Sequence, residues 1–206
     1  HETDGEVESI CVIPASGYDE LWMVVKRGDK RFIEYMAERL PSTDPHTAYF
    51  VDCGLQYDSP LTITGATQAD PVVVTSVAHG LSNGDYVDIS DVVGMTELNG
   101  NRYKVANKTA DTFELTEEDS GDDIDGTGFT AYSSGGYARK CYTTFSGLSH
   151  IVGESVVILG NGEVYPEQVV NASGEVTLSR ACSRISVGLP YVADFETLNI
   201  EQSMRD

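Results

Sequence analysis

Across 206 residues, 33 Asp and Glu stand against 13 Lys and Arg, a formal net charge of -20. Such a surface repels phosphate backbones and anionic membranes, which argues against tight nucleic-acid binding by counterion release; an acidic wall would still let DNA slide past without sticking. The length allows one large domain or two small ones, each with an ordinary core. No apolar run approaches the roughly 18 to 20 residues that span a bilayer. The chain opens on His1-Glu2-Thr3-Asp4 without an initiator Met, so the expectation is a piece of a longer protein carrying no signal peptide or anchor. Its four cysteines, Cys11, Cys53, Cys141 and Cys182, are scattered singly with no CxxC spacing. They are read as small buried apolar residues in a reduced compartment, with no zinc or thioredoxin-like site.

The first strand signal is VESICVIP at 7–14, with Val7, Ser9, Cys11 and Ile13 expected on one side. ELWMVVKR and KRFIEYMAE follow around Gly28-Asp29. Gly at the first loop position supplies the positive φ of a type II′ hairpin turn. Residues 31–40 also fit a short helix, since Phe32, Met36 and Leu40 are four apart, but the turn chemistry favours a strand. Arg27-Gly28-Asp29 spells an integrin-type adhesion tripeptide and is read as a solvated hairpin tip.

After Leu61 the chain becomes rich in Thr, Val, Gly and Asp. Strands are expected at PVVVTSV, DYVDIS, NRYKVAN, DTFELTE and GFTAYSS, separated by turn signals at His79-Gly80, Asn83-Gly84, Asn99-Gly100 and Gly135-Gly136. Many short strands with close-set turns predict a small antiparallel barrel or sandwich. Strand patterns then resume in GLSHIVGESVVILGNGEVYP, VVNASGEVTLSR and SRISVGLPYVADFETL, with Asn161-Gly162 as a hairpin turn. Residues 62–138 hold 13 acids and 3 bases, against 20 and 10 in the remainder, so the middle is the more acidic per residue. HGLSNGDYVDIS and SGLSHIVGESVVILG share the order Gly-Leu, then Gly-acid-x-Val-x-Ile. They are either a duplicated hairpin or two solutions to one turn problem.

HGLSNGDYVDISDVVGMTELNG, the following DTFEL and the closing Gly135-Gly136 resemble the β-barrel insert of ubiquitin-activating enzymes called the first catalytic cysteine half-domain. The resemblance runs from about Val72 to Gly136 and rests on Gly84, Asp85, Gly94, Met95, Leu98, Asn99 and Gly100. Each has a structural reason: backbone freedom at the glycines, a type I′ turn at Asn99-Gly100, and filling of a small barrel by Met95 and Leu98. It implies a fold and no chemistry. No cysteine lies between Cys53 and Cys141, and no GxGxxG or P-loop signals ATP, so ubiquitin activation is rejected.

With that insert removed, VESI-VIP, ELW-VVKR, FVD-GL, GL-GE-V-ILGNG and VGLPY-D-ETL resemble, in this order, a recurring segment of phage and prophage tail proteins of the nozzle or tube-closing kind. About 130 residues are covered, and the insert is the departure from that pattern. The expected architecture is all-β: a discontinuous antiparallel β domain, 1–61 and 139–206, interrupted by a small β-barrel at 62–138. An insert grown from a surface hairpin is tolerated when its ends are close. The resemblance implies a virion tail component made in the bacterial cytoplasm, homo-oligomeric in the full-length protein and contacting other phage tail proteins; the net charge adds the expectation that part of its acidic surface lines a conduit for DNA ejection. The alternative is a receptor-binding or carbohydrate-binding tail module, with the barrel as binding head for a cell-surface glycan.

Candidate chemistry is thin. Asp119, Asp122, Asp123 and Asp125 fall in an acidic, Gly-containing stretch that could offer calcium its oxygen ligands, but the EF-hand spacing is absent and a solvated loop is preferred. His1, His46, His79 and His150 are too dispersed for a metal motif, and no G-x-S-x-G elbow is present. Paired carboxylates of a glycosidase would show only as a separation in the fold. Trp22, Tyr35, Tyr49, Tyr57, Tyr132, Tyr137, Tyr142, Tyr165 and Tyr191 could stack on sugar, though in β proteins such residues more often form cross-strand pairs. The expectation is a non-enzyme without cofactor or metal.

Overall fold

The computed structural model describes residues 5–15, 18–36 and 51–190. The remaining stretches lie outside it, and with them the helical alternative at 37–40, His1, His46, Tyr49, Tyr191 and the D-ETL part of the last motif. The protein is all-β, and its strands are antiparallel throughout.

The chain begins with a three-stranded meander of β1 (Gly5–Pro14), β2 (Asp19–Arg27) and β3 (Lys30–Tyr35). Arg27 pairs with Lys30 across the two-residue loop, with positive φ at Gly28 and not at Asp29, as a type II′ turn requires. The expected alternation in β1 breaks at Glu8. Val7 sits opposite Val25 but Ser9 opposite Val24, so a bulge puts Val7 on the face opposite to Ser9, Cys11 and Ile13. Nearly all of β1 is exposed, Cys11 included, which corrects the expectation that every cysteine is buried.

The discontinuous domain is tied by strand pairing across the insert. β4 (Asp52–Asp58), which precedes the barrel, pairs with β16 (Arg184–Leu189) near the end of the described chain. β13 (Ser155–Gly160) and β14 (Glu163–Val169) complete the sheet β14-β13-β16-β4. β12 (Tyr142–Phe145) and β15 (Val176–Cys182) form a second, two-stranded sheet. Between them lies a core that includes Phe145, Leu148, Ile158, Leu178 and Val187. Asn161 and Gly162 have φ of +48° and +84°, positive at both central positions, so the β13–β14 hairpin closes with the expected type I′ turn.

The barrel is built from β5 (Pro60–Thr62), β6 (Gly65–Ala66), β7 (Val73–Thr75), β8 (Tyr86–Val93), β9 (Arg102–Ala106), β10 (Thr112–Glu117) and β11 (Ser134–Lys140), in the order β5-β11-β8-β9-β10-β7-β6. Its first and last strands are consecutive in the chain. The Ile63 amide donates to Gly136 O at 2.9 Å and the Thr64 amide to Thr75 O at 2.9 Å, closing the sheet on itself. Val74, Val87, Met95, Leu98, Phe113 and Leu115, all buried, fill the interior.

Three local expectations are corrected. GFTAYSS is mostly loop, and the strand starts only at Ser134. The Glu97 carboxylate accepts from the amide and hydroxyl of Thr130, and the Gln68 amide donates to Phe129 O, so side chains supply the partners a ladder would have given. Gly135-Gly136 lies inside β11 and is no turn. A Cβ at Gly136 would stand 2.5 Å from the Val92 side chain, so the glycine lets β8 and β11 approach. Asn99 has φ -69° and ψ 139° ahead of Gly100 at φ +77°, a type II turn instead of type I′. The reason is Asn99 itself: its side chain accepts from the Val92 amide and donates to Val92 O, both at 2.9 Å, standing in for a strand partner.

The internal echo has a physical basis. Leu81 and Leu148 are both buried in their respective cores. The Gly84 and Gly153 amides donate to Val105 O and Val170 O at 2.8 and 2.9 Å. One local solution starts a central strand in two different sheets.

Candidate functional site

A cleft of about 760 Å³ separates the barrel from the discontinuous domain. Its barrel wall is carried by β8, β9 and the loop after β10; the opposite wall by the β13–β14 hairpin and the β15–β16 turn. Four arginines line it: Arg102, Arg139, Arg180 and Arg184, an unusual concentration in a chain with 13 basic residues.

Arg102 grips Asp88 with two hydrogen bonds, Nε to Oδ1 at 2.7 Å and Nη2 to Oδ2 at 3.0 Å. Directly paired on β8 and β9, the two need no backbone rearrangement to meet. From the other wall, Asn161 donates through Nδ2 to Asp88 Oδ2 at 2.8 Å. Its Oδ1 accepts from the Ser183 amide, the Ser183 hydroxyl and the Arg184 amide at 3.0 to 3.2 Å. The left-handed tip of the type I′ turn thereby bolts the two units together. Burial pushes the Asp88 carboxyl up, but hydrogen bonds from Arg102, Ser183 and Asn161 outweigh it and hold it below the usual carboxylate range. Arg102 is held further charged by Asp88.

At the neck of the insert Arg139 repeats the arrangement, donating to Asp58 on β4 at 2.7 Å and to Ser90 Oγ on β8 at 2.7 Å. Both groups of contacts are structural: each charge is already matched. Arg180 is different, since its exposed side chain has no hydrogen bond or ion pair among the described residues.

Three of the thiols, Cys53, Cys141 and Cys182, are shifted away from the thiolate. Burial pushes Cys53 up to about 12, with the Glu34 carboxylate adding to it, and burial also pushes Cys141 and Cys182 up. His150 reaches Cys53 only at its carbonyl, with Nε2 3.0 Å away, so no Cys-His pair forms. The Cys53 thiol on Glu34 at 3.3 Å and Phe32 edge-on to His150 at 6.1 Å join the meander to the rest of the discontinuous domain.

The sequence-predicted residues separate by role. Gly84, Asp85, Gly94, Met95, Leu98, Asn99 and Gly100 all hold barrel structure; Asp85, for example, accepts from the Ser82 amide and pairs with Lys140 at 2.7 Å. Gly94 has φ +92°, and a Cβ there would overlap the Ala131 carbonyl. The acidic four are not brought together. Asp125 spends one oxygen on the Thr127 amide and hydroxyl, Asp123 sits in a bridge with Thr116, and among the described residues no three His, Cys, Asp or Glu side chains gather as metal ligands. His79 is buried in the barrel, its Nδ1 accepting from the Leu81 amide at 3.0 Å. The described aromatics form no single platform: Trp22 stacks on Tyr35 in the meander, whereas Tyr57 packs on Phe145 in the other core. The cleft itself was not foreseen. Its one available signal was Arg102, the single arginine of 62–138, beside the NG turn.

Among the described residues no helix is long and apolar enough to cross a membrane. No curated protein matches the chain. Residues 70–141 match the ubiquitin-activating enzyme E1 FCCH domain, which makes the barrel similar to that domain over its larger part.

Proposed function

We propose that this chain is a structural component of a phage tail, of the nozzle or tube kind, working through protein surfaces and without a reaction. The observation that carries the reading is the meander. Val7, Ile10, Val12 and Ile13 on β1, and Ile33, Tyr35 and Met36 on and after β3, are all large apolar residues at 45 to 76 % exposure. Scattered exposed apolar residues need no explanation, but here they fall on both faces of one small sheet, Val7, Ile10 and Val12 on one and Ile13, Ile33 and Tyr35 on the other, and such a concentration marks an interaction surface. The Asp88–Arg102 and Asp58–Arg139 pairs, whose charges are matched, favour a scaffold over an enzyme, and the strongly acidic surface suits a wall along which DNA travels without binding. Light scattering and negative-stain microscopy of the chain test it: a closed ring with a channel is expected, and a monomer at every concentration overturns it. A ring whose acidic faces all point outward removes the conduit role.

The cleft favours a second reading, a glycan-binding tail module, because Arg180, without a side-chain partner among the described residues, lines one groove with Glu118, Asp119 and Glu163 and offers with them partners for hydroxyl and carboxylate groups. A glycan array probed with the chain decides it: binding lost on Arg180→Ala supports the cleft, and an array without signal removes the reading.

A further inference from the structure

We infer that the barrel is a hinged arm of the discontinuous domain: it swings about its two-stranded neck to widen or narrow the cleft, and the Asn161 contact to Asp88 is its latch. The swing is independent of both functional readings above.

The neck has the build of a hinge. β4 ends at Asp58 and β5 begins at Pro60, while β11 ends at Lys140 and β12 begins at Tyr142, so a single residue, Ser59 or Cys141, stands in each link. The links run side by side, because Pro60 pairs with Arg139. Hinges are a few element-terminal residues that absorb the change in φ and ψ. The two cores are separate clusters with no residue in common, and among the described residues no barrel strand pairs with a strand of the discontinuous domain. Units joined without a large hydrophobic interface move relative to one another by default.

The latch can part without stranding a charge. Asp88 keeps both hydrogen bonds of Arg102, its neighbour on the barrel. Asn161 keeps the Ser183 and Arg184 donors of its own domain. What is given up is the Nδ2 bond to Asp88 Oδ2, which joins opposite walls, together with the Ser183 hydrogen bond on the same carboxylate. Asp88 and Asn161 both line the open cleft, and the Asp88 side chain is partly exposed. Water therefore replaces the lost partners, and no charge is left buried and unpaired, the condition that makes breaking a buried ion pair so costly. The second crossing contact, Arg139 to Asp58, lies beside the Pro60–Arg139 pairing, at the pivot itself, where a swing displaces it least.

Distances between spin labels on the two walls test the swing in the whole chain. Asp119 and Glu163 line the cleft from opposite sides and are exposed. Asp119→Cys with Glu163→Cys carries the labels, on a Cys11→Ser background and with brief labelling that leaves Cys53 unreacted. Pulsed electron resonance should resolve a shorter and a longer separation. Asn161→Gly, which suits the turn and removes the latch, should raise the ratio of long to short by about tenfold or more, the usual weight of a hydrogen bond to a charged group. Circular dichroism should meanwhile keep its β signal and a cooperative melt. If the glycine variant folds poorly, Asn161→Asp at about pH 8 repeats the test by setting a second carboxylate against Asp88. A longer population that grows in either folded variant supports the hinge. One narrow separation with and without the latch overturns it and makes the barrel a rigid outgrowth; two separations whose ratio neither variant changes overturn the role of Asn161 as latch.

Discussion

Asn161→Asp is the sharpest probe of how the barrel is fastened. The replacement keeps the size, tolerates the φ of +48° and preserves the oxygen that accepts from Ser183 and Arg184. What changes is the donor, now a carboxylate oxygen placed 2.8 Å from Asp88 Oδ2. A hydrogen bond to a charged group contributes about 1.5–3 kcal/mol. Two like charges about 4 Å apart at an effective dielectric near 20 repel by about 4 kcal/mol, and Arg102 offsets part of this. The pair escapes by taking up a proton, each unit of raised pKa costing about 1.4 kcal/mol. The expected loss is therefore about 2–3 kcal/mol near pH 8, falling to about 1 kcal/mol near pH 5, where the added carboxyl is protonated and donates to Asp88. The sign follows from linkage: a carboxyl whose folded pKa is raised binds more protons when folded, so stability falls as pH rises. Urea unfolding followed by circular dichroism at both pH values measures it, with Asn161→Gly as a control that keeps the backbone and adds no titrating group. A loss equal at the two pH values would refute the argument.

Gly94→Ala should cost about 2–4 kcal/mol, because φ of +92° and the Ala131 carbonyl leave no place for a Cβ; Gly128→Ala, with nothing within 4 Å, should be near neutral in the same melt. The depressed Asp88 carboxyl contributes stability present above its unfolded value of about 4 and lost as pH falls through its lower folded value. Asp88→Asn should flatten that acid limb in a pH series of melting temperatures, and an unchanged limb would assign it to other carboxylates. A thiol reagent should label exposed Cys11 at once, Cys53 slowly, and Cys141 and Cys182 only with unfolding, as mass mapping of the labelled peptides would show.

Most of the fold was legible because short-range chemistry writes it. The Gly28-Asp29 and Asn161-Gly162 turns follow from residues that accept positive φ, and DYVDIS, NRYKVAN and DTFELTE from β-branched and aromatic residues between turn signals. The misses share a cause: side chains acting at a distance. Asn99 reaches back to Val92, and Glu97 and Gln68 hold the loop that GFTAYSS was expected to extend, none of which is visible in a local window. The bulge at Glu8 moved Val7 to the other face because a single extra residue reverses an alternation. For the cleft, the parts were readable singly, but Asp88, Arg102 and Asn161 come from three strands or turns up to 73 residues apart.

The neck of the barrel gives the molecule the character of a cassette. Pro60 pairs with Arg139, so the chain enters and leaves the insert through neighbouring strands, one spacing or about 4.8 Å apart. A gap that small can be bridged by a short turn, and closing it costs little entropy. The sheet β14-β13-β16-β4 owes none of its strands to the barrel. The same doorway would accept a different small domain of matching width, provided it brought its own counterpart to Asp88 for Asn161 and to Arg139 for Asp58. The scaffold and its passenger can therefore vary on separate terms, so long as the polar contacts at Asn161 and Arg139 are kept.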